Sequence, residues 1–172
     1  LYSFQSSDAN ATCFKGFYYH FLKMNSGTRE LDCELSTNDT GLLMIGIIFA
    51  RNYFDKDDHT ENEIRTFAGK LLDKLDWDFF EIPSAGKYAN TISMGWDPKE
   101  GLHPMGWSGY NEALFLYILA AGSGMKNAEV SYNSWLASYD WRTPYVNLSH
   151  VAFPPLFGHQ FGHTFIDFRG LV

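Results

Sequence analysis

Two segments of this chain are apolar on nearly every side, and each is followed by one that is apolar on a single side. From about Thr40 to Phe54, Leu42, Leu43, Met44, Ile45, Ile47, Ile48 and Phe49 leave almost no polar face. In the next segment Ile64, Phe67, Ala68, Leu71, Leu72 and Leu75 recur at i, i+3, i+4, i+7, i+8 and i+11, with Arg65, Lys70, Asp73 and Lys74 opposite. The contrast repeats: about Tyr110 to Ala121 is apolar all round, and the helix after it carries Ala128, Tyr132, Trp135, Leu136 and Tyr139. A helix with no polar face must be covered on all sides, whereas a one-faced helix can lie outside it. Alternating inner and outer helices are what a toroid of helical hairpins requires, and its inner helices begin around a common mouth. Asp39 and Glu112 both stand at the start of an inner helix, each after a polar loop.

Two hairpins are expected between the helices. Phe14 to Met24 is aromatic and strand-like, Asn25-Ser26-Gly27 is a turn signal, and Arg29 to Leu35 can return as partner. The second runs from Thr91 to Trp107 and turns at Asp97-Pro98-Lys99-Glu100-Gly101. Ser36, Thr37, Asn38 and Asp39 offer caps for the first inner helix.

Composition narrows the partners. The 172 residues suit one domain, residues 1–172, and 45% hydrophobic content can supply its core. A net charge of -7 without a Lys/Arg cluster argues against a nucleic-acid or anionic-membrane surface. The strongest apolar run, Gly41 to Ala50, is too short to span a bilayer, and Leu1 opens no positively charged leader, so a soluble, processed chain is expected. Cys13 and Cys33 are its two cysteines and lack metal-site spacing, which leaves a disulfide or two buried thiols. Sequons stand at Asn10, Asn38 and Asn147. Fifteen Phe, ten Tyr and five Trp mostly serve packing, but flat rings among carboxylates also stack on the apolar faces of pyranose sugars.

Trp107-Ser108-Gly109-Tyr110-Asn111-Glu112-Ala113 sets a carboxylate among aromatic and amide side chains as a helix begins. Glu112 either caps that helix or serves as a general acid kept protonated by apolar surroundings. Asp39 is by sequence an ordinary helix cap and a candidate catalytic base, with Glu34 five residues earlier in the same polar stretch as its rival. Trp96, Trp107, Tyr110 and Asn111 can contact sugar or simply pack. His159-Gln160-Phe161-Gly162-His163 has the spacing of a two-histidine zinc helix, but Gln160 stands where a zinc peptidase needs Glu, and an amide cannot accept the water's proton. Pro154, Pro155, Gly158 and Gly162 also weaken a helix there, so a subsite loop is expected, with no metal or cofactor. In it His159, Gln160, Asp167 and Arg169 can bond hydroxyls or brace the acids, and a buried Asp167–Arg169 pair is the structural alternative.

Four ordered motifs carry a family resemblance: Lys15 to Leu22, Glu34-Leu35-Ser36-Thr37-Asn38-Asp39-Thr40, Trp107 to Ala113, and Pro154 to Gln160 through Asp167-Phe168-Arg169-Gly170. They resemble the glucoamylase-like domain family, which includes bacterial endo-β-1,2-glucanases and domains attached to cyclic β-1,2-glucan synthases. The resemblance implies a mainly α fold, an (α/α)6 toroid, and glycoside hydrolysis or transglycosylation of an oligo- or polysaccharide. It also implies an inverting mechanism with Glu112 as acid and Asp39, or its rival Glu34, as partner. Two departures stand out: Asn38 occupies a position expected to be apolar, and twelve helices need on the order of 200 residues before hairpins are added. The chain is therefore expected to be part of the domain, with apolar surface left uncovered and missing segments of the same domain to cover it. A non-catalytic glycan-binding domain is the alternative function, and a periplasmic or extracellular location the expectation.

Overall fold

In a computed structural model the structure describes residues 11–170. It is mainly helical with three small antiparallel sheets. The sequon at Asn10 lies outside the described residues.

Strands β1 (Cys13–Phe14) and β2 (Phe17–Tyr18) turn about Lys15 and Gly16. The chain then runs to Met24 and returns through bridges pairing Leu22 with Arg29 and Tyr19 with Leu35. The first expected hairpin is thus present, but as isolated bridges joined to a sheet. Its end, β3 (Leu35–Ser36), pairs with β4 (Gly95–Asp97), which pairs with β5 (Gly101–Leu102) across the expected turn. This sheet ties the approach to the first inner helix to the approach to the second.

Helix α1 (Thr37–Tyr53) starts where Ser36 accepts the Asp39 N–H at 3.1 Å, three residues earlier than the apolar run suggested. Helix α2 (His59–Leu72) starts likewise, with Asp58 accepting from Glu61. It packs on α1 through buried Ala68 and Leu71 and keeps its charged face outward. A 3-10 turn, Trp77–Phe80, then buries Trp77 and Phe80 against Phe17.

Helix α3 (Leu114–Gly122) is the driest element, with Leu114, Phe115, Leu116, Tyr117 and Ala120 buried. Each large apolar side chain there contributes on the order of 2 kcal/mol by leaving water. It begins four residues later than expected because Asn111 folds 109–113 into a turn, Oδ1 accepting the Ala113 N–H at 3.0 Å. Helix α4 (Ala128–Ala137) packs on α3 through Trp135, fully buried and stacked on Tyr117 at 4.9 Å.

The expected near-complete burial is met by the first turn of α3 and not by the far half of either α1 or α3. Leu116 is fully buried and Ile47 half-buried, yet the far half of α1 exposes Gly46, Phe49 and Tyr53. Phe49 is 63% and Ile118 42% exposed. With Ile45, Ile48, Leu119 and Phe165 they line an apolar groove of about 240 Å³. Five α-helices are found among the described residues.

Two other elements depart from the sequence reading. A third hairpin, β6 (Trp141–Tyr145) with β7 (Leu148–Val151), projects into solvent and turns at Asn147, whose φ is 65°. The segment read as a subsite loop is helix α5 (Leu156–Phe165). Pro154 and Pro155 precede it, where no helical N–H is lost. Gly158 and Gly162 lie at close approaches: a Cβ on Gly158 would overlap the Phe153 ring, and one on Gly162 would sit 3.3 Å from Leu114 Cδ2. Their packing outweighs their poor helix propensity. Cys13 and Cys33 are both buried thiols, not a disulfide. No helix of the described residues is long and apolar enough to cross a membrane.

Candidate functional site

Helices α1 and α3 start side by side. A Cβ on Gly41, in the second turn of α1, would overlap Leu116 Cδ2 and lie 2.8 Å from Phe115 Cε2 in the first turn of α3. Glycine there allows close backbone approach. The segments leading into both helices therefore open at one end of the molecule, and they are also bonded directly. Trp107 Nε1–H donates to Thr37 Oγ1 at 2.9 Å, and that hydroxyl contacts the Ser93 and Met94 carbonyls at 2.9 and 3.0 Å. Tyr117 Oη donates to the Trp107 carbonyl at 2.7 Å. Burial pushes the Tyr117 phenol far above its ordinary pKa, so it stays a neutral donor. Trp107 is thus a latch between α1 and α3, and its single donor is committed.

On the α1 side Glu34 and Asp39 meet through His20. Its Nδ1 lies 2.9 Å from Glu34 Oε1 and its Nε2 3.5 Å from Asp39 Oδ2. The His20 N–H donates to the Glu34 carbonyl at 2.9 Å, and its ring stacks on Phe21 at 4.3 Å. Ser36 Oγ–H donates to the same Asp39 Oδ2 at 2.5 Å, so Ser36 and Asp39 form a reciprocal cap. Asp39 is not itself the N-cap. Glu34 and Trp96 line one cleft of about 620 Å³ together with Asp97, Lys99 and His103. The Trp96 ring stacks on Phe14 at 4.7 Å, which fixes its plane.

The base of this cleft is anchored by Arg29. Its Nε donates to the Cys33 carbonyl at 2.6 Å and its Nη2 to Asp97 Oδ2 at 2.5 Å. Burial raises the Asp97 carboxyl, but the Lys99 N–H, Arg29 and the Glu100 N–H outweigh it and hold the carboxyl below the usual carboxylate range.

On the α3 side Glu112 sits half-buried, two residues before the helix. It does not cap α3: the N-cap is Ala113, without a side-chain bond. Glu112 makes no hydrogen bond or ion pair among the described residues, although its neighbours are fixed. Asn111 is occupied within its own turn, donating to the Ser108 carbonyl at 3.1 Å. Tyr110 stacks on His159 of α5 at 5.0 Å, and His159 Nε2 lies 3.0 Å from the Phe153 carbonyl. Burial raises the Tyr110 phenol.

The remaining candidates are elsewhere. Gln160 is exposed on α5. Asp167 and Arg169 form an exposed pair with two contacts of 2.8 Å, not a buried network, and the guanidinium lowers the Asp167 pKa. They line an opening with Phe49 and Phe168. Phe49 is ten residues beyond Asp39 on α1, roughly 15 Å along the axis. They are thus placed towards the other end of that helix. His159 and His163 are used separately, the latter against the Phe168 ring at 4.7 Å. Among the described residues no group of three or more His, Cys, Asp or Glu side chains could hold a metal ion. By sequence His20 has no role of its own and Thr37 only that of a candidate cap. His20 lay within a quoted motif, but its partners are 14 and 19 residues away.

Comparison with known proteins agrees with this architecture. Residues 104–172 match the family model Glycoamylase, described as "Putative glucoamylase". An exo beta-1,2-glucooligosaccharide sophorohydrolase (non-reducing end) of Parabacteroides distasonis is 24% identical over 143 residues, 77% of this chain and 19% of that protein. A "putative glucoamylase" of Bacteroides caccae superposes with a TM-score of 0.65 at 23% identity, over 84% of this chain and 38% of that one. The beta-1,2-glucanase of Parabacteroides distasonis gives 0.55 at 22% identity, over 66% and 17%. At these identities the structural likeness is one of fold, and the chain spans about a fifth of the length of the curated relative. The family match and the relatives are thus proteins of the kind that the four motifs resemble, and the family model matches the last 69 residues of the chain.

Proposed function

We propose that this chain carries the acid–base site of a glycoside hydrolase that cleaves β-glucan, β-1,2-linked glucan foremost. The observation that supports the reading most is the contrast at one end of the α1–α3 pair. Glu34 and Asp39 are held by hydrogen-bonding neighbours, and Glu112 is half-buried with none among the described residues. Donors favour the charged form of a carboxylate, whereas a general acid must keep its proton until the leaving oxygen takes it. Glu112 is accordingly the acid, with Asp39 or Glu34 as partner carboxylate. The activities of the Parabacteroides distasonis relatives favour β-1,2-glucan as substrate. Trp107, Tyr110, Asn111 and Trp96 line the approach to the sugar in this reading, with His159 and Gln160 as outer contacts, while Asp167 and Arg169, towards the other end of α1, take no part at this end. A partner about 6.5–9.5 Å from Glu112 leaves room for water and gives inversion, our preferred outcome.

Further segments of the same domain complete an (α/α)6 ring in this reading and cover the groove between α1 and α3. A periplasmic or extracellular glucan is the natural substrate pool.

A reducing-sugar assay on linear β-1,2-glucan tests the proposal. Glu112→Gln should bind glucan and stay folded while turnover falls by roughly two to four powers of ten. A substrate whose leaving group needs no proton should recover much of the loss. Undiminished turnover of natural glucan by this variant would falsify the assignment. Glucan binding by calorimetry without any cleavage by the wild type would favour a glycan-binding domain instead.

A further inference from the structure

His20 joins the two candidate partner carboxylates, and the mechanism above gives it no task. We propose that His20 is a positioning residue that makes Glu34 and Asp39 a single unit, with Glu34 orienting the ring and Asp39 acting as the base. The inference rests on the acid–base reading of this site and goes beyond it by separating the roles of the two rivals.

The geometry distinguishes them atom by atom. Residue 20 is fixed to residue 34 by main chain and side chain together, at 2.9 Å in each case. Stacking on Phe21, with planes 8° apart, sets the tilt of the ring. Nε2 is thereby presented to Asp39 Oδ2, the oxygen that also accepts from Ser36. Both contacts fall on one Asp39 oxygen. Oδ1 makes none among the described residues, and the side chain is 50% exposed. A base that draws a proton from water needs one lone pair open and the carboxylate plane held through the other oxygen. Asp39 meets this description. Glu34 also leaves one oxygen open, and what sets it apart is its tie to the ring: its contact is the shorter, 2.9 Å against 3.5 Å, and its carbonyl holds the same histidine's main chain, in the manner of a carboxylate that orients a histidine. An imidazole donating at both nitrogens satisfies both carboxylates at once, whereas a ring donating at one leaves the other facing a lone pair.

Ring-nitrogen NMR on the 172-residue chain reads this arrangement without requiring turnover. Glu34→Gln and Asp39→Asn should each move the His20 nitrogen signals, Glu34→Gln acting mainly at Nδ1. Unchanged His20 signals in both variants overturn the proposal. On linear β-1,2-glucan, His20→Ala should lower kcat by about 10- to 100-fold with KM within about twofold. His20→Gln, which can still donate towards Asp39, should regain part of that loss and also serves where the alanine variant folds poorly. Adding Glu34→Gln to His20→Ala should cost less than a further factor of about two, since the two act through one contact. Wild-type kcat in His20→Ala beside a crippled Glu112→Gln overturns the positioning role and leaves the acid–base reading intact. Undiminished turnover in Glu112→Gln removes that reading itself.

Discussion

The segments that lead into α1 and α3 both bring a carboxylate to the same end of the molecule, but they hold it differently. In 34–39 the acids are gripped: His20 touches both, Ser36 caps Asp39, and Arg29 clamps the strands behind them. In 107–113 the frame is gripped and the Glu112 side chain, among the described residues, is not. Trp107, Tyr110 and Asn111 each spend their polar or aromatic surface on a neighbour, while Glu112 touches no donor among the described residues. Rigidity of the backbone and solvation of the carboxylate are therefore separable. One approach holds its carboxylates by contacts, and the other leaves its carboxylate without a hydrogen bond or ion pair among the described residues.

The largest effect expected from disturbing this contrast is at the Arg29 clamp. Arg29 is 7% and Asp97 22% exposed at the side chain, so Asp97→Asn leaves a guanidinium buried without its counter-charge. Unfolding experiments should show a loss of about 3 kcal/mol, the lower end for a broken buried pair because Arg29 keeps the Cys33 carbonyl. The pH dependence has a definite sign. The folded Asp97 pKa is depressed, so its contribution is complete above the unfolded value of about 4 and is lost as pH falls through the folded value. The gap between wild type and Asp97→Asn should hence close in acid. A gap that stays constant from neutral pH into strong acid means that packing, and not charge, anchors this approach.

A smaller effect should follow from unhooking the other approach. Trp107→Phe removes the donor to Thr37 while keeping a ring, and should cost about 2 kcal/mol from one lost hydrogen bond and some lost volume. Thr37→Val removes the same bond from the other side, together with the hydroxyl's contacts to the Ser93 and Met94 carbonyls, and should cost more. A double-mutant cycle should return a coupling of about 1 kcal/mol, and additive losses mean that α1 and α3 are aligned by packing at Gly41 alone.

Much of this arrangement can be read from the chain, and the limits have physical causes. Periodicity located α1, α2, α3 and α4, since an apolar face or its absence is a local pattern. It misplaced the start of α3 because the turn at 109–113 depends on a side-chain bond from Asn111, which hydropathy does not register. Helix α5 was hidden for a related reason: Gly158 and Gly162 read as breakers until Phe153 and Leu114 are known to press on them. Candidate acids were legible as residue types, whereas the His20 link between them is made by strand pairing across 14 and 19 residues.

Asn38 offers the smallest and most discriminating change. It follows Thr37 in the first turn of α1, at a position where an apolar residue was expected, and its buried Oδ1 has no hydrogen-bond partner among the described residues. A buried carbonyl left unpaired costs free energy that an apolar side chain would not, and leucine is the better helix former. Asn38→Leu should therefore raise stability by about 0.5–1 kcal/mol, seen as a higher denaturant midpoint at unchanged slope. The neighbouring Asp39 gives the experiment its value. If Asn38 is only a misfit in an otherwise gripped segment, glucan turnover should stay within about twofold of wild type while stability rises. A gain in stability accompanied by a rise in KM points to an amide kept for sugar at the cost of folding. Loss of stability shows that the Asn38 side chain is itself one of the ties that hold the first approach, and so enlarges the contrast with the second.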